Sequence, residues 1–434
     1  LKFEARISKT ETNSNVTIRK SEIPAVLAFR VSVEFRRNGF RFWILNLFRI
    51  SSFEFRISSF EFLVSNFEFL RFWDCTFACS GTRWTAPTLR QGAIMLTRQR
   101  LRQLFEPAAA ARIAVVGDFF LDKYLEVDPA LEEPSVETGK VAHQVVAVRS
   151  SPGAAGTVVS NLAALGAGEL HAIGMTGDDG EGFELRRGLE RLGCSTRHLH
   201  AYCQRHTPTY LKPRDGATSG LSGEHSRYDT KNRQATPADI QDRVMQSLES
   251  LVARLDAVIV LDQVESADCG VVTGAVRQRI AELADAHPEV VFWADSRRRI
   301  HDFRNVITKP NQFEAIGLDH PTPADLVAEE RLLAAGRALR KQTGKPVFIT
   351  CGSRGILVSD PDWTLVPACQ VTGETDPTGA GDSTTAGCVL ALCGGASCVE
   401  AAMAGNLVAA VTVQRLATTG TASQQDLERQ LSSV

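Results

Sequence analysis

The residues best suited to chemistry lie in one run, Asp376-Pro377-Thr378-Gly379-Ala380-Gly381-Asp382, where two carboxylates flank a turn broken by proline and glycine. The small and aliphatic residues that follow, as far as Leu392, suit a buried helix. Glycine backbone can bring amide groups close to an anion, and a helix N-terminus offers unpaired N–H groups and a positive dipole end to the same place. Such a junction is a phosphate or oxyanion site. Asp382 stands at its mouth as a general base for a hydroxyl, while the amides of Gly379, Ala380 and Gly381 form the hole for charge on a transferred phosphoryl group. Taken alone, the same residues also read as a glycine turn with Asp382 as a helix cap.

These groups need a scaffold, and the chain supplies signals for one. RIAVVG, from Arg112 to Gly117, is an apolar run ending in glycine, as expected for a buried strand of a parallel sheet. Asp118 and Asp122 follow at its carboxyl end, where open α/β sheets place ligands, and carboxylates there suit the hydroxyls of a polyol. Residues 126–150 alternate apolar and polar side chains and suit a small β lid, as do residues near 204–232. SPGAAGTVVSNLAALGA, at 151–167, is a glycine turn feeding a helix. LDAVIVLDQV and VVFWADSRRR read as two more buried strands, ending near Asp262 and Asp295. In ITKPNQFEA, Asn311 and Glu314 have the spacing of a helix capping box. Lys212, Arg214 and Arg227 are cations near the lid that suit a phosphate already on the substrate. No G-x-x-x-x-G-K-[ST] string occurs, so this is not a P-loop kinase.

The D-P-T-G-A-G-D run with its small-residue helix resembles the C-terminal signature of ribokinase-like sugar kinases, the phosphofructokinase B family. The GD-x-x-LD-x-Y form at 117–124 looks most like the heptose 7-phosphate kinase branch. The resemblance runs from about Arg112 to the end and implies roles for further residues. Asp118, Asp122, Gly153, Thr157, Asn161, Lys212 and Arg214 would bind the acceptor; Thr157 stands where the family usually has an asparagine. Asn311, Thr350, Gly352, Gly355 and Asn406 would line the ATP site. Glu314 would reach Mg2+ through water, and Asp376 with the closing Thr/Gly/Ser turn is a candidate site for a monovalent cation such as K+.

Residues 1–94 differ from the rest: they hold 14 of the 22 Phe and 14 basic against 8 acidic side chains, net +6, whereas the remainder is net −8. A seven-residue unit recurs there at 51–57, 58–64 and 65–71, too short for a stacking repeat. The first Met is Met95, and residues 1–94 are expected to be an extension outside the fold. Arg and Glu interrupt every apolar run, which excludes a membrane span, and Phe/Glu alternation without Lys clusters is a poor nucleic-acid footprint. The ten cysteines show no CxxC pair and read as structural thiols of a cytoplasmic protein.

The expected architecture is α/β, a doubly wound mostly parallel sheet with a small β lid over 95–434. The expected activity is phosphoryl transfer from ATP, with Mg2+, to a hydroxyl of a sugar or sugar phosphate. The resemblance covers only the kinase half of a bifunctional heptose enzyme, and a homodimer is a candidate assembly. Two readings stay open beside it: a kinase for a neutral sugar or nucleoside, and a non-catalytic sugar-binding regulator on the same fold.

Overall fold

The computed structural model describes residues 28–37, 40–49, 96–218, 223–322, 325–360, 362–416 and 419–432. The chain divides into two units, Leu1–Ala86 and Pro87–Val434. In the first, strands Ala28–Arg37 and Phe40–Arg49 pair as an antiparallel hairpin; the seven-residue units at 51–71 lie outside the described residues.

The second unit opens with α1 (Arg98–Phe105) and β1 (Arg112–Gly117), then runs β2 (Phe119–Val127), β3 (Val145–Ala154), α2 (Ala155–Ala164), β4 (Glu169–Gly177), α3 (Gly180–Arg191), β5 (Cys194–Tyr202), β6 (Thr209–Asp215) and β7 (Tyr228–Thr230). It continues through α4 (Ala238–Val252), β8 (Ala257–Asp262), α5 (Gly274–Ala286), β9 (Val291–Ser296), β10 (Ile307–Thr308), α6 (Gln312–Ala315), α7 (Glu329–Thr343), β11 (Phe348–Thr350), β12 (Ile356–Val358) and β13 (Thr364–Val366). Helices α8 (Ala380–Cys393), α9 (Cys398–Thr412) and α10 (Gln424–Ser432) close it.

Six strands form an all-parallel sheet in the order β10-β9-β8-β1-β4-β5. Its central strands β1 and β8 are almost wholly apolar because both faces are covered, whereas the edge strand β5 carries polar, partly exposed residues. Alternate side chains serve opposite cores: Ile113, Val115, Ile259 and Leu261 join α2, α8 and α9, while Ala114, Val116, Val258 and Val260 join α4, α5 and α7. The antiparallel set β11-β12-β13 extends the sheet through single bridges, Thr308 to Val347 and Asn311 to Thr350. The architecture is therefore the doubly wound, mostly parallel sheet expected.

A second sheet, β7-β6-β2-β3, forms the lid. It begins at Phe119, earlier than the residues near 126 where alternation is visible in the sequence. The chain leaves β1 at Gly117, whose φ is +149° and where a β-carbon would stand 2.1 Å from the carbonyl oxygen of Leu261. Past that contact the backbone pairs with β3 instead, so GDFFLDKY is mostly lid strand rather than a loop.

Helix α1 is tied to the end of the chain: Arg100 Nε donates to Glu400 at 2.7 Å and Arg102 Nη2 to Glu428 at 2.7 Å. The cysteines at described positions are free thiols, and burial pushes those of Cys388 and Cys393 up to about 12, which suits packing rather than reactivity. Among the described residues no helix is long and apolar enough to cross a membrane.

Candidate functional site

The residues expected to form the anion hole lie at the start of α8. Gly379 has φ +77°, the left-handed conformation that lets the turn empty into the helix without a strained side chain. The amide of Ala380 donates to Pro377 O at 3.1 Å, so of the three amides expected to form the hole this one is already spent. Among the described residues no acceptor faces the amides of Gly379, Gly381 and Asp382, and the unpaired set is displaced accordingly. Asp376 is buried, accepts from the Thr378 amide at 2.9 Å and donates its own amide to Val413 O at 2.8 Å, so it braces the turn. Residues 417–418 of the closing turn lie outside the described residues.

Asp382 opens on the cleft, yet burial of its carboxyl, and then the nearby charge of Asp295, push its pKa up to about 7 against the opposing influence of Lys309 and Arg297. Lys309 comes from the loop after β10, is 3 % exposed, and sits with Nζ 3.5 Å from where a β-carbon on Gly381 would stand. It donates to Asp295, at the end of β9, across 2.7 Å. Burial acts to lower the Lys309 pKa, but Asp295 outweighs it and holds the ammonium charged. Next to it, the capping box of α6 is complete: Asn311 Oδ1 accepts from the amides of Phe313 and Glu314 at 2.8 and 2.9 Å, and Glu314 accepts from the Asn311 amide at 2.7 Å. Burial, then Asp295, push Glu314 up to about 7. A buried carboxylate under this strain gains from a nearby cation. No cluster of three His, Cys, Asp or Glu able to hold a metal ion occurs among the described residues. One such carboxylate beside an anion hole fits Mg2+ carried largely by phosphate oxygens and water.

The residues expected to bind the acceptor lie at the root of the lid. Asp122, on β2, is buried against Gly153, where a β-carbon would lie 2.8 Å from its Oδ2. It pairs with Lys212 Nζ at 3.3 Å and accepts from Thr419 Oγ1 at 3.3 Å. Burial acts to lower the Lys212 pKa, but Asp122 and Tyr124 raise it more, so the ammonium stays charged and neutralises Asp122. Thr157 and Thr419 both face Gly379, with methyl carbons 3.4 and 3.1 Å from a β-carbon built there, so the acceptor and anion ends meet at this glycine. Asn161 is fully buried and donates to Thr157 O and Gly420 O at 3.1 and 3.3 Å, holding the same junction together.

Asp118 is placed differently from the expectation. Its carboxylate accepts from the amides of Gln263, Val264 and Val271 at 2.8, 3.0 and 2.7 Å, which leaves it knitting the 263–271 loop rather than facing a ligand. Burial and then Asp262 push it up to about 6. Arg214 donates to Thr218 O at 2.8 Å, and Arg227 pairs with Asp229 at 2.6 Å. On the nucleotide side, Thr350 lies beside Asn311 through a parallel bridge. The turn from Gly352 to Gly355 closes with the Cys351 amide donating to Gly355 O at 2.8 Å. Asn406 spends its side-chain N–H groups on Val366 O and Pro367 O at 3.1 and 3.0 Å, so it supports the wall from behind.

Asp295 stands at a strand end and Thr419 in the closing Thr/Gly/Ser turn, both visible in the sequence, whereas Lys309 carries one signal only, its position directly before Pro310-Asn311.

Residues 111–425 match the pfkB family carbohydrate kinase domain. The bifunctional protein HldE of Azorhizobium caulinodans is 30% identical over 317 residues, covering 71% of this chain and 62% of the relative. That of Nitratiruptor sp. is 27% identical over 322 residues, covering 73% and 64%. The chain thus spans somewhat over three fifths of the length of these curated relatives. Arabidopsis thaliana ribokinase, solved with ribose and ATP, superposes with a TM-score of 0.54 at 17% identity, covering 74% of this chain and 98% of that one. Escherichia coli phosphofructokinase-2, solved with fructose-6-phosphate, gives 0.54 at 18% identity, covering 74% and 98%. At such identity the two structures speak to the fold alone, while the family match spans most of the sequence and every site residue named above: this chain belongs to the pfkB family of carbohydrate kinases.

Proposed function

We propose that the chain transfers the γ-phosphoryl group of ATP to a hydroxyl of a sugar phosphate of the heptose 7-phosphate class. The observation that carries this reading is Asp382, held near pKa 7 at the start of α8, with the Lys309 ammonium beneath the same turn and Asp122 across the cleft. A base that titrates close to neutral pH can take the hydroxyl proton as the new P–O bond forms. The amides of Gly379, Gly381 and Asp382 stabilise charge on the phosphoryl oxygens, and Lys309 adds a fixed positive charge behind them. Asp122, with Thr157 and Thr419 beside it, orients the acceptor hydroxyls. Glu314 would hold Mg2+ through water, and the ion supplies charge neutralisation on the phosphates. Alignment and charge stabilisation carry most of the rate, since little covalent work falls to the protein in phosphoryl transfer.

A neutral-acceptor reading is favoured by one observation: Lys212, a cation expected to meet a substrate phosphate, is consumed by Asp122. ADP release measured with D-glycero-D-manno-heptose 7-phosphate, the unphosphorylated heptose, fructose 6-phosphate, ribose and adenosine separates the two. Preference for the heptose phosphate is the expected result. Preference for ribose or adenosine would replace it with the neutral-acceptor reading, and no acceptor-dependent ADP from any of them would remove both.

A further inference from the structure

We propose that Asp118 is a positioning residue: it ties the lid to the 263–271 loop and so sets where Asp122 stands relative to Asp382. The inference rests on the reading above that Asp122 orients the acceptor and Asp382 takes its proton. Two of the crossings between the lid and the parallel sheet meet at Asp118. At the start of β2 its amide donates to Leu261 O at 3.0 Å, and where β3 runs into α2 its carbonyl accepts from the Ala155 amide at 3.1 Å. Its buried carboxylate takes the amides of Gln263, Val264 and Val271, so one residue joins both lid roots to the loop after β8. Asp122 follows four residues later on β2, close enough for its charge to act on Asp382.

The loop is gripped from its other side as well. Arg299 pairs with the fully buried Asp262 and donates to the carbonyls of Val264 and Glu265, while Arg205 donates to Cys269 O at 2.7 Å. An acid thus holds the loop's amides and two arginines its carbonyls, a satisfied polar network that leaves the turn little freedom. Against this fixed loop the lid makes an apolar contact: Val264 and Cys269 form a buried cluster with Phe120, and Ala154 and Tyr210 pack on it. Phe120 lies two residues before Asp122 on the same face of β2, and Tyr210 is the Cα partner of Asp122 on β6, so the contact brackets the acceptor carboxylate. Beside it a cavity separates Phe119, Pro208 and Lys231 on the lid side from Gly270 and Val271 of the loop. The lid is therefore stopped at one contact rather than bonded along its length.

The test compares the full chain with Asp118→Asn and Val264→Ala, and uses Asp256→Asn, which breaks the pair with Arg112 at the opposite end of β8, as control. Asparagine removes a charge that burial and Asp262 disfavour, which favours folding of the variant, but it turns an N–H toward amides that need an acceptor. Amide hydrogen exchange in Asp118→Asn is expected to quicken about tenfold or more over 119–127 and 209–215, with α8 unchanged. KM for the best acceptor should rise about tenfold while KM for ATP stays within about twofold. Val264→Ala keeps the amide ties and removes the stop, so it should give the same two changes in smaller measure, and it decides on the same criteria if Asp118→Asn does not fold. Faster exchange confined to 263–271, spread through α8, or matched by the control overturns the proposal. So do equal increases in both KM values, or faster lid exchange with the acceptor KM unmoved. If the parent turns over no acceptor, the kinase reading falls, and exchange alone decides whether Asp118 holds the lid.

Discussion

Lys309 and Asp295 are joined across 2.7 Å in a space that leaves them 3 % and 7 % exposed, directly under the turn that opens α8. The pair places a positive charge behind the proposed anion hole and a negative one where Asp382 feels it, so one ion pair adds to the charge of that hole and, after burial, to the raised pKa of the proposed base.

Breaking that pair from one side should be costly. Lys309→Met leaves Asp295 buried without its partner, and the loss expected is about 3–5 kcal/mol in urea unfolding. The double variant Lys309→Met/Asp295→Leu should recover most of that stability and little of kcat. A double variant as unstable as the single one would mean that the pair is needed for packing rather than for charge.

Asp382→Asn keeps the size of the side chain and removes the proton acceptor. Turnover should fall by about 10²- to 10⁴-fold with ATP affinity nearly intact, as steady-state kinetics on the best acceptor would register. Retention of kcat within a few-fold would reduce Asp382 to a helix cap.

The same residue should shape the pH profile. Asp382 must be unprotonated to act, and its pKa lies near 7, so kcat/KM should rise with an acidic limb at about pH 7 and fall roughly tenfold per unit below it. Asp295→Asn removes a like charge that raises this pKa and frees Lys309 toward Asp382, so the limb should move to lower pH. A limb that stays put under that substitution would assign it to another group.

Gly153→Ala tests the acceptor end. The added carbon would stand 2.8 Å from Asp122 Oδ2, a contact that a carboxylate held by Lys212 can relieve only by moving. Acceptor kcat/KM should drop about ten- to a hundredfold while KM for ATP is unchanged. Parallel losses for both substrates would show that the lid root, not Asp122, was disturbed.

Truncation separates the extension from the fold. The family match begins at residue 111, and α1 contributes Leu101, Leu104 and Phe105 to the core ahead of it. A chain starting at Met95 is therefore expected to unfold cooperatively and keep activity, and one starting at Pro107 to lose Leu101, Leu104 and Phe105 from the core and fail to fold. Loss of cooperativity already at Met95 would place part of 1–94 in the domain.

Much of this arrangement was legible in the sequence, for a local reason. β1, β8 and β9 are buried on both faces, so their apolar runs stand out without help from the rest of the chain. The turn into α8 is equally local, written in Pro377, Gly379 and Gly381. What could not be read depends on distant partners. Asp118 and Asp122 look alike in GDFFLD, and only the amides of 263–271 make the first a backbone brace, while Lys212 and Thr419 border the second. The displacement of the anion hole from Ala380 follows from one turn hydrogen bond to Pro377, which residue types do not specify. Lys309 meets Asp295 through two strand ends brought together by the sheet, and neither residue carries a sign of the other.

The bonds from α1 to Glu400 and Glu428 bridge 300 and 326 positions of chain. On the ribosome, the first helix of this domain emerges long before its partners, and its apolar face is not covered until α8 and α10 have left the exit tunnel. One core cluster thus closes only when synthesis is nearly over, and the loop entropy of joining the two ends is met at that moment. A nascent chain stalled before α8 should accordingly be bound by chaperones and open to protease at 98–105, and become protected once the last helices are free.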